Sequence, residues 1–282
     1  MYTRSRHCRM RHCKQDKEEQ FVDLKLKDKV VVITAGTGGC GKALVKAFAD
    51  EGCYLAVSST SQEKLDAVLP ELNIPEDHII SFVADMTSEE EVAAFINGAH
   101  DHYGRIDVLV VNQGYEGKRA LLEDASMENW MEVFSVNTFG VLYALKYTVP
   151  YMKAQKSGAI VINCSHGAYL GSPGLSQYSA SKHATYGLAK SATLELAPYG
   201  IHVNCICPGG IDTPMIRRIE EMQLPQLASH EERMKVLTAG SPDKRYCRPD
   251  EVAYMALYLA SELSAHVNGS GLRLDGGMDA RD

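Results

Sequence analysis

The stretch KVVVITAGTGGCGKALVKAFADEG, residues 29–52, decides the fold. It opens on a continuous run of Val and Ile, the pattern of a strand buried on both faces. It closes on a segment whose Ala43, Leu44, Ala47 and Phe48 share one face of a helix that Gly52 stops. Between strand and helix, residues 34–41 hold four glycines. A turn of that kind lets the backbone approach a pyrophosphate, whose charge is stabilised by the free amides of the helix N-terminus. The glycines read in two registers. Gly36-x-Gly38-x-x-Gly41 is the general dinucleotide-binding fingerprint. Counted from Thr34, Gly39 and Gly41 become the second and third glycines of the cradle, and Ala35 stands where the first would be.

Outward from this stretch the alternation continues. Apolar runs at 53–59, 78–85, 106–114, 158–165, 201–208 and 270–277 follow the one at 29–34, with amphipathic segments between them. Seven such units predict one α/β domain of Rossmann-like, doubly wound form, a mostly parallel seven-stranded sheet flanked by helices, with ligands at the carboxyl ends of the strands. The domain is expected over residues 21–282. The longest irregular stretch runs from about Asp212 to Pro249 and mixes Pro214, Pro225 and Pro242 with Met215, Ile216, Met222, Leu224 and Leu227, a composition that suits a lid over a substrate.

Composition narrows the partners. A formal net charge of -7 argues against nucleic acid. No apolar run approaches the roughly 20 residues of a membrane helix. The eight cysteines are scattered and several fall inside apolar runs, which together with the lack of a secretory signal suggests reduced thiols in a cytoplasm. Cys205-x-Cys207 is read as core, its side chains expected on opposite faces of a buried strand and so unsuited to one metal. Residues 1–20 stand apart as a basic tail expected to be disordered; its His7-Cys8 and His12-Cys13 pairs offer metal-ligand types, but no metal site is assigned.

The chemistry concentrates in QYSASKHATYGLAK, residues 177–190. Tyr178 and Lys182 are four apart, hence on one helical face, where an ammonium favours the ionised form of a neighbouring phenol. Ser165 lies at the end of the fifth apolar run, placed to meet Tyr178 at the sheet edge. These residues, with the Thr34–Gly41 loop, Asn112-Gln113-Gly114, Asn137 and Pro208-Gly209-Gly210, resemble the short-chain dehydrogenases/reductases in order and spacing over roughly residues 26–278.

The resemblance implies an NAD(P)-dependent oxidoreductase that interconverts secondary alcohols and ketones. Tyr178 would be the general acid/base and Ser165 a second hydrogen-bond partner of the reacting oxygen. Lys182 would assist Tyr178 and hold the nicotinamide ribose, while Asn137 would break a helix locally and carry a water that links Lys182 to solvent. The cofactor would lie along Ala35, Thr37, Gly38, Gly39, Cys40, Gly41, Ser59, Thr60, Asp85, Met86, Asn112, Gly114, Tyr178, Lys182, Pro208, Gly209, Ile211 and Thr213, with Asp85 at adenine and Thr213 at the nicotinamide amide. His166, Tyr169, Tyr115 and Met215 are candidates for the substrate wall. Relatives of this kind assemble as homotetramers or homodimers.

The departures from the family pattern are Ala35 and Gln113. The second apolar run ends in Ser58-Ser59-Thr60-Ser61, without the acid that would repel a 2′-phosphate, so NADP(H) is favoured over NAD(H), with Lys42 as an added cation. The Met- and Leu-bearing lid predicts an apolar or mid-sized substrate, such as a hydroxysteroid or 3-oxoacyl group, although Arg217-Arg218 could meet a carboxylate. The competing reading is a catalytically silent dinucleotide-binding regulator, which the set Asn137, Ser165, Tyr178 and Lys182 argues against.

Overall fold

A computed structural model describes residues 22–280. The basic tail and its His-Cys pairs lie outside the described residues. Strands form where the apolar runs predict them: β1 (Val30–Ile33), β2 (Tyr54–Ser59), β3 (Ile79–Val83), β4 (Val108–Val111), β5 (Gly158–Asn163), β6 (Ile201–Pro208) and β7 (Gly271–Leu274). Every pairing is parallel, in the order β3-β2-β1-β4-β5-β6-β7. The sheet is therefore wholly parallel, since each connection crosses over through a helix. The winding reverses between β1 and β4, the position at which such sheets open a crevice at their carboxyl edge.

The helices are α1 (Gly39–Asp50), α2 (Gln62–Val68), α3 (Glu89–Tyr103), α4 (Met127–Phe134), α5 (Gly140–Gln155), α6 (Ser176–Leu196), α7 (Pro214–Gln223), α8 (His230–Leu237) and α9 (Pro249–Ala260). Ser61, Ser88, Ser126 and Ser229 cap α2, α3, α4 and α8 through their side chains. Strand residues alternate between two cores. Val32, Leu109 and Ile160 face α3, α5 and α6, whereas Val31, Val108 and Val161 face α1 and α9. Both faces of the central strands are buried, which is why they read as unbroken apolar runs.

Two expectations are corrected here. The 212–249 stretch is not irregular, for it holds α7 and α8. Pro214 occupies the first turn of α7, where a proline needs no amide partner and its fixed φ suits the helix, so it starts the element instead of breaking it. Cys205 and Cys207 share one face of β6 because side chains two apart on a strand point the same way, and they lie in one core cluster with Cys164. Hydrogen bonding to Cys164, and then burial, pushes the Cys207 thiol up. Among the described residues no group of three or more His, Cys, Asp or Glu side chains is placed to hold a metal ion, and no helix is long and apolar enough to cross a membrane.

Candidate active site

Crowding differs among the glycines of the loop. A Cβ on Gly39 would lie 2.6 Å from Thr213 Cγ2, and one on Gly41 would lie 2.3 Å from the Ala35 carbonyl oxygen, whereas one on Gly38 would meet only that same oxygen at 3.6 Å. Gly39 and Gly41 are crowded and Gly38 is not, which favours the pattern counted from Thr34. Gly36 is excluded from bearing a side chain for a separate reason, the Val57 side chain 2.3 Å from its Cβ position. Ala35 takes the first glycine's place with φ of 50°, a left-handed backbone that disfavours any side chain.

Thr34 and Asn112 bind this loop to the end of β4. The Thr34 hydroxyl accepts from Asn112 N at 2.8 Å and donates to Gln113 Oε1 at 2.5 Å. Asn112 Nδ2 donates to Ala35 O at 3.1 Å, and Asn163 Nδ2 to Asn112 Oδ1 at 3.0 Å. Gln113, the second departure, is buried where the family has alanine. Gly140 lies opposite, where a Cβ would stand 2.5 Å from Met86 O and 3.2 Å from Gln113 Nε2.

Along the crevice runs a cleft of about 750 Å³ lined by residues of the loop, Ser59, Thr60, Lys64, Asp85, Met86, Asn112, Gln113 and Lys182. Its donors and acceptors fit a dinucleotide. The N-terminus of α1 has no side-chain cap, so its first amides face the cleft unshielded. Gln113 Nε2 and Asn163 Oδ1 are a buried donor and a buried acceptor without protein partners on the same lining.

Tyr178 and Lys182 line this cleft, and a Cβ on Gly114 would lie 3.8 Å from Lys182 Nζ and 3.9 Å from Asn137 Oδ1. A Cβ at Gly167 would lie 3.4 Å from both Ser165 Oγ and Tyr178 Cε1, so the two side chains flank the same glycine, and both line the neighbouring cleft. Lys182 Nζ sits 5.7 Å from the Tyr178 ring centroid and donates to Asn163 O at 3.4 Å. Asn137 is fully buried in a π-helical turn, Ser135–Phe139, between α4 and α5. Its side chain accepts from Tyr115 N at 2.8 Å and donates to Tyr115 O at 2.9 Å and Ser181 Oγ at 3.0 Å. Its main-chain carbonyl accepts from Thr185 Oγ1 at 2.7 Å.

A family model described as short chain dehydrogenase matches residues 29–224. The chain belongs to the short-chain dehydrogenase family. The 3-oxoacyl-[acyl-carrier-protein] reductase FabG of Thermotoga maritima is 35% identical over 255 residues, covering 90% of this chain and 99% of that protein. A solved levodione reductase superposes with a TM-score of 0.86 at 32% identity, covering 91% of this chain and 99% of that one. ElxO with NADP bound gives a TM-score of 0.82 at 29% identity, and NAD+-bound xylitol dehydrogenase 0.83 at 29%, each covering 90% of this chain and 100% of its own. This dehydrogenase is thus an NAD(P)-dependent oxidoreductase acting on CH–OH groups, and its relatives include both NADP- and NAD-bound forms.

A second cleft of about 470 Å³ opens beside Ser165 and Tyr178, walled by Leu170, Met215, Ile216, Ile219, Leu237 and Tyr246. Cys164, Tyr178, Ile211, Thr213 and Met215 line both clefts and mark where they join. Of the four substrate-wall candidates, His166 and Met215 line this cleft. Tyr115 lines the first cleft instead, where Asn137 holds its backbone. Tyr169 lies in neither cleft: its hydroxyl donates to Gly271 O at 3.0 Å beside Tyr186, and burial pushes the phenol far up.

The Arg217-Arg218 pair of this dehydrogenase is likewise corrected as a carboxylate receptor. Arg217 is bound to Asp212 and Glu220, and Arg218 forks onto the buried Glu116 at 2.5 and 3.1 Å. Lys42 does not reach the cofactor cleft, but Lys64 does. Lys64 Nζ donates to Thr60 Oγ1 at 2.8 Å and has no carboxylate partner among the described residues. The sequence signal for it was its place one turn after Thr60 on a helix capped by Ser61.

Proposed function

We propose that this dehydrogenase reduces uncharged, largely apolar ketones with NADPH and oxidises the corresponding secondary alcohols, with Tyr178 as the proton-transfer group. The junction of the two clefts at Tyr178 carries the reading, because it puts a phenol, a second hydroxyl and a cation where a substrate oxygen and the nicotinamide ring would meet. When bound, the nicotinamide supplies or takes up the hydride. Ser165 Oγ accepts from Gly167 N at 3.0 Å, which occupies one lone pair and leaves its O–H free to donate to the substrate oxygen. Tyr178 donates its proton to that oxygen on reduction and takes it back on oxidation. The Lys182 ammonium stabilises the negative charge that develops on the phenolic oxygen as the proton leaves.

Three further features extend the proposal. The apolar wall suits a hydrocarbon body. Lys64 beside Ser59 and Thr60 is placed for a 2′-phosphate, supporting NADPH over NADH, and Lys64→Ala should lower the NADPH-to-NADH affinity ratio by roughly tenfold. Exposed apolar side chains on α4, α6 and α9, among them Met131, Leu194 and Tyr254, support a homodimer or homotetramer, which light scattering would test.

The experiment that tests the core of the reading is Tyr178→Phe, followed at 340 nm with a ketone panel. Turnover should fall by about 10²- to 10⁴-fold while NADPH still binds. Unchanged turnover would overturn the assignment, and tight NADPH binding by the unmutated protein with no turnover of any ketone would favour the silent regulator.

A further inference from the structure

His166 directly follows Ser165 in a short 3-10 turn, His166–Ala168, and its half-buried imidazole lines the substrate cleft. Its Nδ1 stands 3.2 Å from the Pro208 carbonyl oxygen. A carbonyl can only accept, so Nδ1 carries the proton and the tautomer is set. The other ring nitrogen, Nε2, has no hydrogen-bond partner among the described residues. With the proton on Nδ1, Nε2 is an acceptor, and a substrate hydroxyl can donate to it.

The charges around it point the same way. Arg245 is taken by Glu251, at 2.7 and 2.9 Å, and by Asp243 at 3.2 Å. Arg273 stacks on the Tyr169 ring at 4.7 Å and donates to Asp279 O at 3.1 Å. The Asp275 carboxylate, also on the cleft lining, accepts from the amides of Gly277 and Asp279, at 3.0 and 3.3 Å, and has no cation partner among the described residues. Gly209 joins the two groups: a Cβ there would meet the Asp275 backbone at 3.3 Å and His166 Nδ1 at 3.8 Å. Among the described residues, this side of the cleft therefore offers acceptors and the unpaired Asp275 carboxylate, with no free cation for a carboxylate or phosphate.

We infer that His166 is a specificity-determining residue that binds a hydroxyl on the carbon next to the reacting carbonyl, making α-hydroxyketones and vicinal diols the preferred substrate class. This rests on the proposed alcohol and ketone chemistry. Ser165 and His166 are adjacent at one turn and both line the cleft, which places the hydroxyl held by His166 beside the oxygen held by Ser165. On reduction the ketone carbon gains a hydride and its oxygen the Tyr178 proton, giving a vicinal diol; the adjacent hydroxyl is unchanged.

The test compares cis-1,2-cyclohexanediol with cyclohexanol, both oxidised with NADP+ and followed at 340 nm, in the unmutated protein and in His166→Phe. The kcat/KM ratio of diol to alcohol should be about tenfold or more and should collapse to about 1 in the variant. A ratio near 1 in the unmutated protein, or one that the variant leaves unchanged, overturns the inference. If neither compound is oxidised, calorimetric binding to the NADP+-loaded protein decides. Diol affinity at least tenfold above that of the alcohol, lost in His166→Phe, upholds the specificity while refuting the proposed chemistry; equal affinities refute the specificity.

Discussion

Ala35→Gly isolates the cost of a side chain in the tightest part of the cofactor loop. The residue sits at φ of 50°, where an L-residue costs roughly 1–2 kcal/mol that glycine does not incur. Glycine in turn has more freedom to lose on folding, worth roughly 0.4–1 kcal/mol against it. The difference is a net stabilisation of roughly 0.5–1 kcal/mol, which for a chain of this size raises Tm by about 1–4 °C. The contacts of this residue run through its backbone: its carbonyl accepts from Gly38 N and Asn112 Nδ2, and its amide donates to Ser58 Oγ. Losing the methyl leaves all three, so NADPH affinity should change by less than about threefold and the single-turnover rate at saturating cofactor should hold. Calorimetric melting of the cofactor-free protein, a fluorescence titration with NADPH and a stopped-flow single turnover measure the three quantities. A Tm that falls by more than about 2 °C, or a hydride-transfer rate that drops tenfold, would refute the reasoning. Ala35→Val should move Tm the opposite way, since a β-branched residue tolerates positive φ least.

Gly38→Ala should bind NADPH within about threefold of the unmutated protein, because its Cβ has room, whereas Gly39→Ala, 2.6 Å from Thr213 Cγ2, should lose tenfold or more. Equal losses would return the loop to the Gly36-x-Gly38 register. Hydrogen bonds from Arg245 and then from the Arg248 amide hold the Glu251 carboxyl at about 2, against an ordinary 4.5. Because the folded value is depressed, the stability it contributes is complete above pH 4.5 and is lost as pH falls through about 2. Glu251→Gln should therefore flatten the acid limb of a Tm-against-pH curve between those values, and parallel limbs would contradict the assignment. Asp107→Ala strips the buried Val30 amide of its 2.9 Å acceptor and Arg105 of its partner. It should cost about 1–3 kcal/mol in urea unfolding, and an unshifted midpoint would show that water replaces both contacts.

Most of the fold was legible along the chain because strands buried on both faces have no polar positions to blur their runs, and each run found its strand. The same rule, misapplied over two residues, put Cys205 and Cys207 on opposite faces of β6. The 212–249 segment was misread because a proline stops a helix in its interior but starts one in the first turn, and only neighbouring structure tells the two apart. At the site, Ser165, Tyr178 and Lys182 could be placed from their spacing on one strand end and one helix face. Tyr169 could not, since its hydroxyl answers to Gly271, 102 residues away. Arg217 and Arg218 looked like free cations until Asp212, Glu220 and Glu116 were seen beside them.

What the amino-acid order determined by itself was local and periodic: the seven parallel strand units, the glycine turn before α1, and the helix that carries Tyr178 and Lys182. Those follow from burial patterns and backbone preferences that act within a few residues. The tertiary structure alone decided which glycines are crowded, that Ala35 is held at positive φ, that Lys64 rather than Lys42 reaches the cofactor cleft, and that Pro208 fixes the tautomer of His166. Each of those depends on which distant atom comes to rest within a few ångströms, a quantity set by packing and carried by no periodicity in the chain.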